Sequence, residues 1–179
     1  MIELLQTPSQ TVGPYFAYGL VPKQYGYNHT NIITGSLVDE NSAGEHIQII
    51  GQVLDGEGVA IPDAMIELWQ PDIKAIGRFG TGTDEQNRFI FNTIKPQSFE
   101  GQAPHISVVV MMRGLLVHAF TRLYFSDETE ANAQDEVLRS VPEERRATLI
   151  AQRGELGGKT VYTFDIHMQG DNETVFFDV

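Results

Sequence analysis

Three side chains that could take part in chemistry lie close together in the middle of the chain: His105, Ser107 and Arg113. Side chains alternate along a strand, so His105 and Ser107 would share one face at a strand mouth. Histidine is a common metal ligand, but one histidine does not make a site, and serine is a poor ligand for iron or zinc. Taken by themselves, these residues do not complete a metal site.

Arg113 ends the apolar run and precedes a glycine. Two interpretations are open. It could be a rim arginine held in a surface ion pair. Alternatively, it could stand at the mouth of a pocket and offer its planar fork to a carboxylate or an aromatic ring.

The element that carries these residues is the apolar run 106–112, which lies between Pro104 and Gly114. The run is short and rich in β-branched residues, which favours a strand over a helix. Because it is apolar at nearly every position, the sequence predicts a strand that is buried on both faces.

The other histidines divide by their surroundings. His29 and His46 fall in predicted loops, where we expect them to be solvated, whereas His118 and His167 fall in predicted strands, where we expect structural roles. The chain contains no cysteine, which excludes disulfides, thiolate metal sites and a cysteine nucleophile.

Composition limits the possible functions. The 179 residues are 41% hydrophobic and 20% charged, as expected for one soluble domain. The formal net charge of −12 argues against nucleic acids and anionic membranes as partners. No signal-peptide pattern or membrane-length apolar run is present, so we expect a cytoplasmic protein. An anionic substrate would need a local cation, which directs attention to the arginines.

Alternating apolar segments separated by turn residues predict a mainly β fold, an antiparallel β-sandwich with short peripheral helices and an extended N-terminal arm. We expect one domain over 1–179, with the arm and an irregular region in 1–46 and the core in 47–179. A short strand is possible at 32–33. The predicted strands are 47–54, 64–70, 88–94, 106–112, 115–125 and 159–168, with a closing hairpin strand at 174–177; the predicted helices are 127–133 and 142–151.

The N-terminal segment 7–16 contains two prolines and a glycine, so it is predicted to be neither helix nor central strand. It ends in Tyr15 and Phe16. The segment could dock these aromatic rings on the body of the protein. It could also line a pocket, where the turn at Gly13 and Pro14 would bring the backbone close to a ligand.

Seven stretches, taken together and in order, resemble the intradiol ring-cleaving dioxygenases, in the branch built from α and β chains of the same fold. The resemblance covers nearly the whole chain. The stretches are TPSQTVGPY at 7–15, GQVLDG at 51–56, IELWQ at 66–70, NTIKP at 92–96, APHI at 103–106, TRLYF at 121–125 and GDNETVFFD at 170–178.

In that family only the β chain holds the ferric iron, through two tyrosines and two histidines. Where the iron-bearing chain has a His-x-His pair, this chain has His105 and Ser107, and no tyrosine lies between Tyr27 and Tyr124. Phe99 follows the Lys-Pro dipeptide where a tyrosine is expected. The resemblance therefore implies an α chain with no metal site and no catalytic residue of its own, paired with a β chain that binds non-heme Fe(III).

The implied reaction is the cleavage of 3,4-dihydroxybenzoate by dioxygen to 3-carboxy-cis,cis-muconate, in a hetero-oligomer of αβ units. The resemblance further implies that the α chain helps to wall the substrate pocket of its partner. The matching residues, expected to bind substrate, are Thr11, Gly13, Pro14, Tyr15 and Arg113. Segment 71–79 is shorter than the corresponding α-chain loop, which would alter the contact with the partner.

Two alternatives remain open. One is a self-sufficient metal dioxygenase that recruits His105, His118 or His167 to a different site, although the missing tyrosines argue against it. The other is a non-enzymatic, transthyretin-like β-sandwich that acts as a binding module.

Overall fold

A computed structural model describes residues 10–178. Residues 7–9 of the predicted arm lie outside that range. The described residues contain three short α-helices, α1 (Phe16–Leu20), α2 (Thr129–Gln134) and α3 (Glu136–Ser140), and 3-10 turns at Thr81–Thr83 and Glu143–Leu149. Their nine strands are β1 (His46–Leu54), β2 (Met65–Gln70), β3 (Ala75–Gly80), β4 (Arg88–Ile94), β5 (His105–Met111), β6 (Ala119–Phe125), β7 (Ile150–Leu156), β8 (Lys159–Thr163) and β9 (Ile166–His167).

The strands form a sandwich whose two layers are joined through β7. One layer has the order β3-β2-β5-β6, and the other has the order β8-β1-β4. The start of β7 pairs with β6, and the rest of it pairs with β8, so this strand passes from one layer to the other. The predicted sandwich is confirmed. Most pairs are antiparallel, as expected, but β1–β8, β1–β9 and β6–β7 are parallel.

The main core lies between the layers and is built by strand alternation. Ile49 and Phe91 project into it from one layer, and Ile66, Val108 and Leu123 project from the other. All five are at most 1% exposed. Burying a side chain of this size stabilises the fold by about 1.5–3 kcal/mol, so the alternation seen in the sequence fixes which face of each strand turns inward.

The central strand β5 departs from its prediction. Its inward residues are buried, but Ser107, Val109 and Met111 on the opposite face are only partly buried. The expectation of burial on both faces was therefore wrong. The outer face of this layer is covered at one end by α1, next to Met111, and at the other by a cluster that includes Leu138 and Leu149, near His105. Between the two ends it is only partly buried.

Two further elements differ from the predictions. β3 was not predicted, because its two glycines weaken the strand signal, yet it forms a hairpin with β2 after a turn at Pro71–Lys74. The predicted helix at 142–151 is instead a 3-10 turn followed by β7. Ile150 and Ala151 pair with Tyr124 and Phe125, and this tertiary pairing overrides the local helix signal.

Three segments beside the sandwich are also more irregular than predicted. Residues 115–118 belong to the turn before β6, and Phe177 forms a single bridge to Phe120 where a closing strand was expected. Segment 34–37 covers an open edge by bonding to both layers. Thr34 accepts from the backbone of Arg78, and Leu37 donates to Asn92, at 2.9 Å each. Ile32 and Ile33 form no strand.

No helix within residues 10–178 is both long enough and apolar enough to cross a membrane.

Candidate functional site

The first predicted site residue, Arg113, lies just beyond the end of β5 and forms an ion pair with Asp63. The distance from Arg113 Nε to Asp63 Oδ2 is 2.5 Å. The two side chains differ sharply in exposure: that of Arg113 is 59% exposed, and that of Asp63 is 9% exposed. The guanidinium thus contacts a buried carboxylate through Nε, and the arginine side chain as a whole remains largely exposed.

Thr11 on the arm reaches the same turn. The backbone N–H of Gly114 donates to Thr11 Oγ1 at 2.9 Å. Gly114 has a φ of 90°, a conformation that glycine adopts without strain, so the turn after Arg113 is tight. Two of the five predicted residues, Thr11 and Arg113, are therefore brought together.

Gly13, Pro14 and Tyr15 are exposed on the arm. A Cβ built on Gly13 would have no atom within 4 Å. The ring of Tyr15 is 72% exposed and contacts Tyr18 edge-on, with 5.3 Å between ring centroids. Beneath them, α1 packs Ala17 onto the outer face of the β2–β5 layer. Tyr15 thus remains largely exposed beside a near neighbour in the chain, and the backbone at Gly13 is open to solvent.

A cavity of about 150 Å³ lies between the arm and the β5–β6 turn, and it is mostly apolar. None of the five predicted residues lines it. A larger concavity of about 540 Å³ lies along β4, β1 and β8, distant in the fold from the arm. The lining of the smaller cavity is Gln10, Val12, Phe16, Met111, Met112, Leu115, Leu116 and His118.

The opposite end of β5 is closed. His105 is 4% exposed, and its Nδ1 lies 2.8 Å from the carbonyl oxygen of Ala103. Its cross-strand neighbour is Tyr124, whose hydroxyl donates to Asp135 Oδ1 at 3.0 Å. Asp135 also accepts from the backbone N–H groups of Ala103, at 2.9 Å, and Leu138, at 2.8 Å. Asp135 therefore links the segment before β5 to β6 and α3.

Burial sets the protonation of this closed end. It lowers the pKa of His105, and the nearby guanidinium of Arg122 adds to that effect. Burial also raises the pKa of Tyr124 to about 12. At neutral pH we therefore expect a neutral imidazole and a protonated phenol.

This donor set does not fit a ferric ion. Ferric iron prefers anionic oxygen donors, whereas Ser107 offers a neutral hydroxyl and Tyr124 a phenol that holds its proton. The positive charge of Arg122 beside His105 opposes a bound cation. Within residues 10–178, no group of three or more His, Asp or Glu side chains is placed to hold a metal ion.

Two histidine predictions were wrong. His46 begins β1 and is not in a loop, although it is exposed, and its Nε2 lies 2.8 Å from the carbonyl oxygen of Ser42. His118 precedes β6 and is not in a strand; it is exposed and contacts Phe120 edge-on. His29 lies in a loop and His167 in β9, as predicted.

The sequence interpretation missed Asp63. The signal that could have found it is strand register: Met65 on β2 pairs with Met111 on β5, so two residues further along, Asp63 faces Arg113. The register was not available from the sequence because β2 and β5 are not consecutive strands.

The chain was compared in sequence with known proteins, and two of them match it over nearly its full length. The chain is 51% identical over 197 residues to the protocatechuate 3,4-dioxygenase alpha chain of Burkholderia cepacia, with 100% of both chains covered. It is 41% identical to the alpha chain from Pseudomonas putida, covering 99% of this chain and 98% of that one. The chain belongs to the family of protocatechuate 3,4-dioxygenase alpha chains.

The family's second chain is a more distant relative. The beta chain from Burkholderia cepacia is 29% identical over 161 residues, covering 73% of this chain and 67% of the beta chain. No protein-family model matches the chain.

Solved structures agree in fold. The dioxygenase domain of a carbohydrate-binding fusion protein from Streptomyces sp. SirexAA-E aligns with a TM-score of 0.59 at 18% identity, covering 94% of this chain and all of that one. An intradiol ring-cleavage dioxygenase from Tetranychus urticae aligns with a TM-score of 0.61 at 15% identity, covering 79% of this chain and 88% of that one. These matches place the sandwich in the intradiol dioxygenase fold.

Proposed function

We propose that this chain is the iron-free subunit of a two-chain enzyme that cleaves 3,4-dihydroxybenzoate. The observation that carries the proposal is full-length identity of 51% to an alpha chain, in a molecule whose β5 cannot supply a ferric site. A homologous beta chain would bind the non-heme Fe(III). The reaction inserts both atoms of dioxygen between the two hydroxyl-bearing carbons, breaks the bond between them and gives 3-carboxy-cis,cis-muconate.

In this proposal the chain contributes a wall of the pocket. Arg113 would face the substrate carboxylate, and Thr11, Gly13, Pro14 and Tyr15 would present the arm beside it. The electrostatic argument supports Arg113. The substrate is an anion and the chain carries a net charge of −12, so a local cation is needed to bring the substrate close. The largely exposed side chain of Arg113 would meet that need.

The surface supports a partner chain. Around the arm, Tyr15 is 72% exposed, and Leu116 and Val117 are each 65% exposed. A second apolar pair, Trp69 and Ile76, stands side by side on the β2–β3 hairpin. That hairpin contains the short segment 71–79, so its turn would shape the contact. We expect the αβ interface to bury on the order of 2,000 Å² or more, within a larger symmetric oligomer.

The remaining features are consistent with a cytoplasmic enzyme, the location we propose. The chain has no cysteine and no need of an oxidising compartment. Its substrates would be a small aromatic acid and dioxygen, and its strong negative charge disfavours nucleic acid and anionic membranes.

Co-expression with a candidate beta chain tests the proposal. We expect the two chains to co-purify and the complex to consume dioxygen with protocatechuate, forming the ring-opened product. The control is each chain expressed and assayed alone. The proposal would be contradicted if this chain stayed a monodisperse monomer that does not bind the beta chain and if the beta chain were fully active by itself.

A further inference from the structure

The carboxylate of Asp63 is buried without a hydrogen bond. Both of its oxygens are shielded from solvent, and neither has a hydrogen-bond partner among residues 10–178. Its close charged contact is Arg113 Nε, which forms an ion pair without the alignment of a hydrogen bond. A carboxylate taken out of water needs a compensating charge, so this aspartate holds the arginine in place.

The backbone that carries Asp63 is fixed. The hydroxyl of Thr81, which is fully buried, donates to the carbonyl oxygen of Ile61 at 2.7 Å and accepts from the N–H of Ala64 at 3.2 Å. Gly82 closes the turn from the other side: a Cβ there would lie 2.4 Å from the carbonyl oxygen of Pro62. The turn around Asp63 therefore has little room to move.

Arg113, the other member of the ion pair, is also held in place by its backbone. Arg113 lies two residues beyond the end of β5, and the N–H of Gly114 in its turn is bonded to Thr11 on the arm. An arginine side chain loses considerable rotamer freedom when it binds a ligand. A contact through Nε would remove much of that freedom beforehand, and a side chain that is still 59% exposed would remain accessible to an anion.

We propose that Asp63 is a positioning residue, which orients Arg113 for an anionic substrate. This inference rests on the proposed function, because it takes the substrate carboxylate as the ligand of Arg113. Asp63 does not touch the substrate. Asp63 could also act against binding, because its negative charge weakens the attraction of Arg113 for a second anion. The experiment below distinguishes positioning, which lowers KM, from this competition, which raises it.

The test is Asp63→Asn in the purified complex with the beta chain. We expect KM for protocatechuate to rise about threefold to tenfold with kcat retained, and the kinetics with catechol, which lacks the carboxylate, to change less. Asp63→Glu should recover part of the loss. A KM that is unchanged or lowered would overturn the proposal, the second result showing that Asp63 only competes with the substrate.

Two controls make the outcome specific. Asp84→Asn removes the carboxylate of another arginine–aspartate pair, Arg88–Asp84, and should leave KM unchanged. In an Arg113→Ala background, Asp63→Asn should add nothing to KM. An equal rise in KM there would mean that Asp63 acts through the fold, and the positioning role would fail.

A measurement without catalysis separates this inference from the proposed function. In the isolated chain, NMR relaxation of the Arg113 side chain should show it ordered by the ion pair, and Asp63→Asn should make it mobile. A complex with no turnover but with this ordering intact would refute the proposed function alone. A side-chain mobility that Asp63→Asn does not change would refute the positioning role.

Discussion

The polar side chains at the two ends of β5 differ in burial and in bonding. At the His105 end, the imidazole, the Tyr124 phenol and the Asp135 carboxylate contact one another and the backbone, and all three residues are at most 4% exposed. At the Arg113 end, the arginine side chain is 59% exposed and contacts a buried carboxylate. One end is closed, and the other presents a largely exposed arginine to its surroundings.

This difference indicates how the molecule would work as a subunit. A site whose donors are used internally has become part of the core, so changing it should affect stability. A surface whose donors remain unused should affect only what binds there. Substitutions at the two ends should therefore change different measured quantities.

The largest effect should come from Asp135→Ala at the closed end. This change removes the side-chain cap of α3 and the bonds to Ala103 and Tyr124. The free energy of unfolding should fall by on the order of 3 kcal/mol, measured by urea denaturation. The exposed Asp39→Ala is the control and should change little. If Asp135→Ala were neutral in stability, the closed end would not be the structural unit described.

The second effect is kinetic, at the open end. Arg113→Ala should lower kcat/KM for protocatechuate by roughly tenfold to a hundredfold, the loss of one charge-assisted contact of about 1.5–3 kcal/mol. Arg113→Lys should restore part of it, and catechol should be affected less. Unchanged kinetics in an intact complex would leave Arg113 as a rim residue.

Arg88→Ala is the matched control for that substitution, because Arg88 also pairs with an aspartate, at 2.8 Å. Arg88 holds the pKa of Asp84 down at about 2. Its loss should leave the kinetics unchanged. It should lower stability above about pH 4, where the ion pair contributes fully, and the difference from the native chain should shrink as the pH falls from about 4 to 2.

A smaller effect is expected for Gly13→Ala. No atom of the chain within the described residues lies within 4 Å of the added methyl group, and Gly13 does not have a left-handed φ. The isolated chain should fold unchanged. If the partner or the substrate packs here, KM for protocatechuate should rise about fivefold, as expected from an overpacked contact.

Gly19→Ala provides the comparison for Gly13→Ala. Gly19 is equally open but lies on α1, where alanine should raise stability by up to about 1 kcal/mol and leave KM alone. The same small KM change in both variants would mean that Gly13 faces solvent in the complex.

The smallest effect concerns pH. Burial lowers the pKa of His105 from 6.5, with Arg122, Asp135 and Asp72 as its charged neighbours. The unfolded chain then binds a proton more readily than the folded one. The contribution of neutral His105 to the free energy of unfolding is therefore complete above pH 6.5 and declines as the pH falls below that value. Urea unfolding at pH 7.5 and 5.5 should show a larger difference for the native chain than for His105→Gln. The exposed His118→Gln should behave as the native chain does.

The sequence predicted elements whose local pattern and tertiary role agree. β4 occupies residues 88–94 as predicted because its alternation matches its one-sided burial. β7 was missed because Ile150 and Ala151 pair with β6, a contact between distant segments that overrides a local helix signal. The same limit applies to the site. Arg113 and Thr11 could be named from the residues and the family resemblance, but Asp63 depends on the register between β2 and β5.

Metal analysis of the chain, purified alone and with its beta chain, tests whether this chain completes a site whose iron belongs to a partner. We predict no stoichiometric iron and no visible tyrosinate-to-iron charge-transfer band for the isolated chain, and about one iron per αβ pair in the complex. A burgundy preparation of the isolated chain with one iron per chain would contradict the account.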